Sequence, residues 1–564
     1  MRLLVSLLSI LVCVRAAAET PTVELEASGL DDELGLLYSS QVQFGLDGLP
    51  LVTIGLMDGQ QTVSVSSSEG LTLSGRVERD GQLVRKTIRS EPGQTWIFEP
   101  LDPTPALVQY WCAVESWPFS DGARLEKAVE HWRRLGAQSQ VFEVGSVFGI
   151  RGHVIDNRTY ILGIQSFSSE KEAEEAGRDV FERHGVQSFV HAHLACRPGG
   201  RLKVGPASTE KASAGVEPFV DLVEVRSIDG GPVTVHRVEH SRGYRWHGFE
   251  DRCYAGSVLV TLDREGKLVV VNRIAVDRLL EGLVPAEIFP AAPMEALKAQ
   301  AVVARGEVFA KIGTRHFLDP YLLCAETHCQ VYAGVKAESP RCSRAVEVTR
   351  GQLLFLGSDL VDSVYSACCG GHGEDNDAVW SDPPSPALRG KPDMASRRPM
   401  HLQTRGKLED WLNTEPDAYC RLSSFNKKDL FRWERAFDAA EMETLVAKAK
   451  PIGRVVSIQI LARGVSGRAK AVRVVGTRGD LVVQREWPIR QLFGNLRSAM
   501  FVVTTEMDDE QMVSAFRFRG GGWGHGVGMC QIGAIGMAEH GHDYRQILAH
   551  YYGGAEVFRL YGGS

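Results

Sequence analysis

Residues 520–531 read Gly-Gly-Gly-Trp-Gly-His-Gly-Val-Gly-Met-Cys-Gln and join a predicted strand to a predicted helix near the end of the chain. Six of the first nine residues are glycine, which reaches backbone conformations closed to other residues and lets a ligand or a second strand approach the main chain. No Gly-Lys-Ser or Gly-Lys-Thr follows, so the stretch is not a phosphate-binding P-loop. Two interpretations remain: a tight turn with a structural His525, or one wall of a groove that contacts a polymer.

The chain has 564 residues, which is too long for a single hydrophobic core and predicts several domains. Apolar residues make up 44% and charged residues 24% of the sequence, as in ordinary folded soluble proteins. The formal net charge is −7 and basic residues do not form runs, so we expect no nucleic-acid partner.

The N-terminus predicts export. Met1-Arg2 precedes an apolar run at residues 3–14 and small residues at 16–18, so we predict a signal peptide over residues 1–18. The run is too short for a membrane span, and no other segment approaches that length, so no membrane span is expected. Of the 11 cysteines, Cys13 lies in the predicted signal peptide, and the other ten can pair in an oxidising compartment.

Residues 19–105 predict a β-rich region. The apolar run at 51–56 is followed by Asp58-Gly59, a hairpin signal, and residues 62–66 alternate with period two. Three prolines between residues 100 and 105 then predict a linker, because proline does not fit inside a regular element.

Residues 106–200 contain an internal repeat, in which 110–117 and 160–167 match in character and each precedes a helical pattern and a further strand. The predicted order β-α-β-β-α-β is a ferredoxin-like split unit. This pattern resembles the SPOR domain, a small bacterial module that binds peptidoglycan glycan strands lacking stem peptides. A generic ferredoxin-like spacer is the alternative. Residues 201–216 are rich in Gly, Lys, Ser and Ala and predict a second linker, which leaves 217–564 as the C-terminal domain.

Glu287 is the strongest candidate for acid–base chemistry. It lies in the segment 284–290 between two prolines, which exclude a regular helix there, and beside Ile and Phe, whose desolvating effect raises the pKa of a carboxyl group. A helix predicted over 293–312 carries Lys298 and Arg305 two turns apart on one face, as suits an anionic or polyhydroxyl substrate. The alternative is a solvated cap followed by a solvated basic face.

A cluster of potential metal ligands follows this helix. Cys324, His328 and Cys329 fall within six residues, and His316 lies eight residues upstream. Four such ligands would close a tetrahedral structural zinc site. The competing interpretation is disulfide bonding, with Cys329, Cys342, Cys368 and Cys369 as partners.

Six motifs in order resemble the stage II sporulation protein D family. The resemblance covers roughly residues 217–560 and is weakest at 381–450, which we interpret as an inserted loop region. The motifs are Val284–Glu287, Glu295–Arg305, Thr327–Tyr332, Thr349–Gln352, Cys369–His372 and the stretch at 520–531 with its continuation to Gly553.

The resemblance implies a peptidoglycan lytic transglycosylase that cleaves the β-1,4 bond between N-acetylmuramic acid and N-acetylglucosamine and leaves 1,6-anhydro ends. Such a mechanism needs one acid/base carboxylate, and no second carboxylate stands out near Glu287. The implied substrate-binding residues are Lys298, Arg305, Gly524, His525, Gly526 and Gln531. The implied ligands of a structural zinc ion are His316, Cys324, His328 and Cys329.

We therefore predict an α+β, multidomain protein: a β-rich N-terminal region, a ferredoxin-like SPOR-type module and a mixed α/β catalytic domain. The predicted location is the periplasm or cell envelope of a bacterium, and the predicted partners are glycan strands and a cell-wall amidase. The alternative is a glycan-binding amidase enhancer without enzymatic activity. A zinc hydrolase is disfavoured, because four Cys and His ligands leave no open metal position.

Overall fold

The computed structural model describes residues 32–46, 48–207, 217–241, 247–380, 383–395, 400–427 and 429–562. The predicted signal peptide lies outside these ranges. Within them the chain is a mixed α/β protein of several domains, in agreement with the multidomain prediction. None of the helices in the described ranges has the length and hydropathy needed to span a membrane.

A sheet of 13 strands forms the centre of the protein. In the strand Val63–Ser66 the two valines are buried and the two serines are partly exposed, whereas Ser257–Leu262 is buried throughout. In spatial order the strands are Gln43–Phe44, Pro50–Gln60, Leu268–Ala275, Ser257–Leu262, Phe219–Ser227, Gly199–Pro206, Trp96–Thr104, Val63–Ser66, Val233–His240 and Gly248–Tyr254, and Leu71–Arg79, Gln82–Arg89 and Leu323–Cys324 pair off this path.

The linker predicted at residues 99–105 is a strand instead. Trp96–Thr104 pairs with Gly199–Pro206 along its length, but with Val63–Ser66 only over its first residues. Pro100 and Pro103 lie beyond that second pairing, where the strand has a single neighbour and a missing N–H is tolerated. The prediction was wrong because proline is excluded only where both edges of a strand are paired. At this end of the strand one edge has no partner, so proline is tolerated there.

The second linker, predicted at 201–216, was wrong over residues 201–206. These residues continue the strand Gly199–Pro206, because Leu202 and Val204 are fully buried in the sheet, while residues 208–216 lie outside the described ranges. The β-rich N-terminal region and the start of the C-terminal domain therefore share one sheet. Residues 107–196 are inserted between two of its neighbouring strands.

Residues 107–196, the ferredoxin-like module, form a separate four-stranded sheet with two helices, Gly122–Arg134 and Glu170–His184. The second helix begins with a capping box between Ser169 and Glu172 and ends at Gly185, in the left-handed conformation that favours glycine. In spatial order the strands are Phe189–Cys196, Leu107–Pro118, Thr159–Phe167 and Gln140–Val144. This is the split β-α-β arrangement that the repeat predicts.

A hairpin of Val147–Ile150 and His153–Asp156 interrupts the module. Its apolar side chains Phe148, Ile150 and Ile155 are buried in the main core of the protein rather than in the module's own core. The module is thereby anchored to the rest of the chain by packed apolar contacts.

Three helices form the second layer of the C-terminal domain: Val276–Glu287, Met294–Lys311 and Pro340–Val348. The predicted helix over 293–312 is confirmed. The irregular segment predicted at 284–290 was wrong, because the first helix runs through Pro285 to Glu287. Pro285 lies in the last turn, so the helix loses little hydrogen bonding, and the Ile288 N–H still reaches the Val284 carbonyl at 3.0 Å.

Residues 376–521, the inserted region, carry a second hydrophobic core built around phenylalanines such as Phe493, Phe516 and Phe518. The stretch 381–450 is therefore not a loop region where it is described. The helices of the inserted region are Asn376–Val379, Arg405–Asn413, Tyr419–Leu422, Ala439–Ala447 and Glu486–Leu492, with a 3₁₀ turn at Pro386–Leu388. Its strands are Arg432–Asp438, Val455–Arg463, Ala469–Gly476, Gly479–Gln484, Phe501–Met507 and Val513–Gly521.

The inserted region begins and ends beside one pair of short strands. Tyr365–Ser366 precedes it, Met529–Cys530 follows it, and the two strands pair in parallel. The chain therefore leaves and re-enters the C-terminal domain at one point. The remaining elements are the helices Glu33–Leu37, Gln531–Glu539 and Tyr544–Tyr551, the 3₁₀ turn Val335–Ala337, and a small sheet of Asp359–Leu360, Gln352–Leu356 and Glu556–Arg559.

Candidate functional site

Glu287 is the last residue of the helix Val276–Glu287 and is half-buried. Its Oε1 accepts a hydrogen bond from the Val331 N–H at 2.6 Å, and the Tyr365 hydroxyl is a second hydrogen-bond partner of the carboxyl group. Burial raises the pKa of Glu287 from 4.5 to about 7, although the Val331 hydrogen bond and the charge of Lys311 act in the opposite direction. The group is therefore poised to donate and accept a proton near neutral pH.

The glycine-rich stretch meets the backbone of Glu287 through Gln531. The Gln531 side-chain amide donates to the Glu287 backbone carbonyl at 2.8 Å and to Gln300 Oε1 at 3.2 Å. Tyr365 reaches the same place because its strand pairs with Met529–Cys530. We call Glu287, Val331, Tyr365 and Gln531 the acid site.

His525 holds the backbone of Tyr365, a residue of the acid site, in place. Its Nε2 donates to the Tyr365 carbonyl at 2.9 Å, and its Nδ1 accepts from the Val527 N–H at 3.1 Å. Burial lowers the pKa of His525 to about 3, so the imidazole is neutral at physiological pH. Both ring nitrogens are therefore used within the protein, and contact between His525 and a glycan stays a prediction.

Gly524 and Gly526 are needed for packing, and their contact with a glycan stays a prediction. Both have positive φ, +98° and +79°. A Cβ on Gly524 would lie 2.9 Å from the Ser366 Cβ, and one on Gly526 would lie 2.4 Å from the Arg468 guanidinium carbon. The two glycines therefore allow the loop to lie directly against neighbouring elements.

Arg305 does not face a groove. Its guanidinium is fully buried, pairs with Asp277 at 2.9 Å and also donates to backbone carbonyls of Ala301, Val346 and Gln352. A buried guanidinium with this many partners holds the helices together. Its position corrects the prediction of a substrate-binding Arg305.

Lys298 lies on the same helix but is half-buried. Its Nζ lies 2.6 Å from Glu295 Oε1 and 5.8 Å from the centre of the Tyr544 ring. Glu295 also accepts from the Tyr544 N–H at 2.9 Å, so Lys298 belongs to the contact that fixes the helix Tyr544–Tyr551. The hydrogen bonds and ion pairs of the described residues do not join Lys298 to Glu287.

Sequence reasoning missed three polar side chains around Glu287: Gln330, Tyr365 and Lys311. The Tyr365 hydroxyl donates to Gln330 Oε1 at 2.9 Å, and Lys311 is buried and paired with Glu307. Burial lowers the pKa of Lys311 to about 8. Helical periodicity could have found Lys311, because it lies three turns from Gln300 on one face, whereas nothing local marks Tyr365.

The four predicted metal ligands converge. Donor atoms of His316, Cys324, His328 and Cys329, here named the Cys-His cluster, all lie within 4.8 Å of one another. His316 Nε2 lies 3.3 Å from the Cys329 sulfur, and His328 Nδ1 lies 3.7 Å from the Cys324 sulfur. With Zn–S near 2.3 Å and Zn–N near 2.0 Å, a tetrahedral ion separates such ligands by about 3.5 Å.

The surroundings of the Cys-His cluster also suit a metal ion. Asp319 lies 3.0 Å from His316 Nδ1, the arrangement by which a carboxylate commonly orients a metal-binding imidazole. The structure records all ten cysteines of its described ranges as thiols rather than disulfides. The donor set and its geometry therefore fit a structural zinc ion, and zinc stays a prediction.

A cleft of about 1090 Å³ lies between the ferredoxin-like module, the segment 32–41 and the C-terminal domain. Phe142 and His193 line its module side, and His316 and Phe317 line the opposite side. Glu287 is not among its lining residues. The cleft therefore runs past the Cys-His cluster rather than over the acid site.

Comparison with known proteins identifies two segments of the chain. Residues 264–356 match the family model described as Stage II sporulation protein (SpoIID), and residues 374–528 match a domain of unknown function (DUF8618). An uncharacterized protein of Brachyspira hyodysenteriae is 27% identical over 319 residues, which cover 57% of this chain and 75% of that protein. The Amidase enhancer of Bacillus subtilis is 28% identical over 299 residues, which cover 49% of this chain and 40% of that protein.

The SpoIID match contains Glu287, the helix Met294–Lys311 and the whole Cys-His cluster. The second match covers the whole inserted region, including the stretch 381–450 where the family resemblance of the sequence is weakest. The two family models leave the ferredoxin-like module unmatched, so its SPOR character stays a prediction. The resemblance seen in the motifs is confirmed over residues 264–356, which match the model of the Stage II sporulation protein (SpoIID) family.

Proposed function

We propose that this protein is a peptidoglycan lytic transglycosylase in which Glu287 is the single acid/base. The observation that carries the proposal is the half-buried Glu287 carboxyl group, whose pKa burial raises to about 7. Its hydrogen-bond partners in the described ranges are Val331 and Tyr365, and no second carboxylate is among them. One carboxyl group that changes its protonation near neutral pH suits a lytic rather than a hydrolytic cleavage.

The proposed reaction conserves every proton. Protonated Glu287 donates to the glycosidic oxygen as the bond between N-acetylmuramic acid and N-acetylglucosamine breaks. The resulting carboxylate takes the proton of the muramyl C6 hydroxyl, whose oxygen forms a new bond to C1 and closes the 1,6-anhydro ring. Glu287 ends protonated and no water is consumed.

The hydrogen bonds around Glu287 support both halves of this cycle. The Val331 N–H is a fixed donor, so it stabilises the carboxylate that follows the first proton transfer. The Tyr365 hydroxyl donates to the Glu287 carboxylate. Because a hydroxyl can also accept, it becomes an acceptor for protonated Glu287 when its hydrogen points to Gln330 Oε1, 2.9 Å away. Each protonation state of Glu287 therefore has a partner of the right kind.

The Cys-His cluster would influence Glu287 through the backbone of the segment that carries His328 and Val331. A zinc ion held by His316, Cys324, His328 and Cys329 would stabilise the fold. Four protein ligands would leave it no open coordination position. His328 and Cys329 immediately precede Gln330 and Val331, which contact Tyr365 and Glu287. Ordering this segment would hold the Val331 N–H on the carboxyl group.

The relatives and the architecture suggest the biological setting. A segment of the chain is similar to a protein named Amidase enhancer, and a cell-wall amidase would produce the stem-peptide-free strands that we propose as substrate. The ferredoxin-like module would bind the same strands and raise their local concentration near the acid site. We place this activity in the bacterial cell envelope, reached by export through the predicted signal peptide.

The second candidate is a glycan-binding amidase enhancer without enzymatic activity, which the name of the Bacillus subtilis relative favours. Incubation of the purified protein with stem-peptide-free glycan strands, followed by mass spectrometry, separates the two. The lytic proposal predicts anhydro-ended products from the wild type and from Glu281→Gln, a control carboxylate that pairs with Arg278 on the same helix, but not from Glu287→Gln. Binding without products in the wild type would favour the enhancer.

A further inference from the structure

A second group of metal-type ligands lies buried where the inserted region meets the C-terminal domain. Cys369, Cys420 and Cys530 are at most 3% exposed and Asp393 is 2% exposed. Their donor atoms all lie within 4.8 Å of one another. Cys368, also fully buried, adjoins them. We call these five residues the thiol cluster.

The spacing within the thiol cluster is that of ligands around one ion. The sulfurs of Cys369 and Cys420 are 3.7 Å apart, and the Cys369 sulfur lies 3.5 Å from Asp393 Oδ2. A tetrahedral zinc ion, with Zn–S near 2.3 Å and Zn–O near 2.1 Å, separates two sulfurs by about 3.8 Å and a sulfur and an oxygen by about 3.6 Å.

The surroundings of the Cys530 sulfur would stabilise a thiolate. It accepts a hydrogen bond from the Cys369 N–H at 3.2 Å and another from the Gly533 N–H at 3.3 Å. The second donor belongs to the first turn of the helix Gln531–Glu539, where the unpaired N–H groups favour negative charge. Two backbone donors on one sulfur are typical of a metal-bound cysteine, whose negative charge the ion compensates.

Asp393 is held in place as a ligand would be. The Tyr551 hydroxyl donates to its Oδ1 at 2.7 Å, and the Cys420 N–H donates to its Oδ2 at 3.1 Å. His550 lies 3.4 Å from the same Oδ1 atom, and its Nε2 has no hydrogen-bond partner in the described structure. A buried carboxylate beside three sulfurs is costly unless a cation neutralises it.

We propose that Cys369, Asp393, Cys420 and Cys530 bind a single divalent, thiophilic cation of the zinc type. Three thiolates and one carboxylate complete a tetrahedron and leave no open position, so the site is structural. Binding deprotonates the three thiols, whose protons pass to solvent, and no oxidation or reduction takes place. This site is separate from the Cys-His cluster and does not depend on the proposed glycan cleavage.

The ion would cross-link the ends of the inserted region to the acid site. Cys369 precedes that region, Asp393 and Cys420 belong to it, and Cys530 follows it. Gln531, which hydrogen-bonds to Glu287, is the next residue after Cys530. A metal at the thiol cluster would therefore fix the backbone next to Gln531, whose side chain contacts Glu287.

Zinc content of the full-length protein tests this proposal. We expect Cys420→Ser to bind one zinc ion fewer per chain than the wild type, measured by elemental mass spectrometry after purification in zinc-containing buffer. The matched control is Cys342→Ser, a fully buried cysteine outside both clusters, which should keep the wild-type zinc content. Cys324→Ser reports on the Cys-His cluster, so its result separates the two sites. Equal zinc in Cys420→Ser and wild type would overturn the proposal.

A second measurement needs no variant of the thiol cluster itself. Wild-type protein reconstituted with cobalt should show sulfur-to-cobalt charge-transfer absorption from the thiol cluster, and Cys324→Ser should retain it. Loss of all such absorption in Cys324→Ser would contradict the proposal. Mass spectrometry of the unreduced wild type gives the remaining outcome, because disulfide bonds among Cys368, Cys369, Cys420 and Cys530, seen as a loss of two hydrogens per bond, would overturn it as well.

Discussion

The side-chain amide of Gln531 donates a 2.8 Å hydrogen bond to the backbone carbonyl of Glu287, although the two residues are 244 positions apart in the chain. The contact joins the start of the helix Gln531–Glu539 to the end of the helix Val276–Glu287. The inserted region separates these helices in sequence, and the thiol cluster lies beside the junction. The glycine-rich stretch thus acts on the acid by holding its backbone.

Replacement of Gln531 by Ala should therefore lower both stability and cleavage. It leaves the Glu287 carbonyl and Gln300 Oε1 without a donor, which typically costs about 1–3 kcal/mol of unfolding free energy. Urea unfolding and the rate of anhydro-product formation measure the two effects. Gln459→Ala, an exposed position in the inserted region, should change stability by less than about 0.5 kcal/mol. Unchanged stability and rate in Gln531→Ala would show that the contact does not position the acid.

Cleavage should decline as the pH rises through about 7, because the burial-raised pKa of Glu287 sets the fraction that carries the donated proton. The same shift predicts a loss of stability with rising pH. The folded state holds this proton more tightly than the unfolded state, so the contribution of Glu287 is complete below its ordinary pKa of 4.5 and is lost as the pH rises through about 7.

Unfolding curves between pH 4 and 8 measure that contribution. In Glu287→Gln the unfolding free energy should fall less steeply with rising pH over this interval. In Glu281→Gln most of the wild-type fall in unfolding free energy should remain. A pH-rate profile without a limb near pH 7, or an unchanged stability slope in Glu287→Gln, would contradict the role that we give to this carboxyl group.

Arg305→Ala should destabilise the fold by about 3–5 kcal/mol, because it removes the buried partner of the Asp277 carboxylate and leaves that group only the more exposed Arg350 at 3.5 Å. The double variant Asp277→Asn/Arg305→Met should recover part of this loss, and cleavage should recover with it. Arg344→Ala, which removes an exposed ion pair with Glu347, serves as the control. A double variant that is stable but does not cleave would reinstate Arg305 as a substrate-binding residue.

His525→Ala should reduce kcat and leave KM nearly unchanged, because the imidazole holds the Tyr365 and Val527 backbones rather than the glycan. His525→Gln should restore part of the rate, since its amide can donate to the Tyr365 carbonyl in place of Nε2. Steady-state kinetics with glycan strands of defined length give both constants. A rise in KM without a change in kcat would indicate direct contact between His525 and the substrate.

Local patterns in the sequence predicted those elements whose structure depends on residues close together in the chain. The repeat at 110–117 and 160–167 gave the strand order of the ferredoxin-like module, and the helix over 293–312 formed as its apolar residues indicate. The Cys-His cluster was also predictable, because three of its ligands lie within six residues and need only one tight turn to meet.

Features that depend on distant segments were not predictable in this way. Helical spacing correctly placed Lys298 and Arg305 on one face of the helix Met294–Lys311. Because this helix is buried on almost every side, that face does not form an exposed surface that a substrate could contact. The pairing of residues 96–104 with 199–206 crosses a whole inserted module. Asp393 and Cys420 join Cys369 and Cys530 only because the inserted region folds back on its own ends.

Cleavage of stem-peptide-free glycan strands in water enriched in heavy oxygen tests the central claim most directly. If Glu287 takes the proton of the muramyl C6 hydroxyl, the wild type should release anhydro-ended products that carry no heavy oxygen. Glu287→Gln should release no anhydro-ended products. Products with a reducing end that contains heavy oxygen would show hydrolysis instead of lytic cleavage. That result, or equal anhydro-product yields from Glu287→Gln and the wild type, would contradict the account.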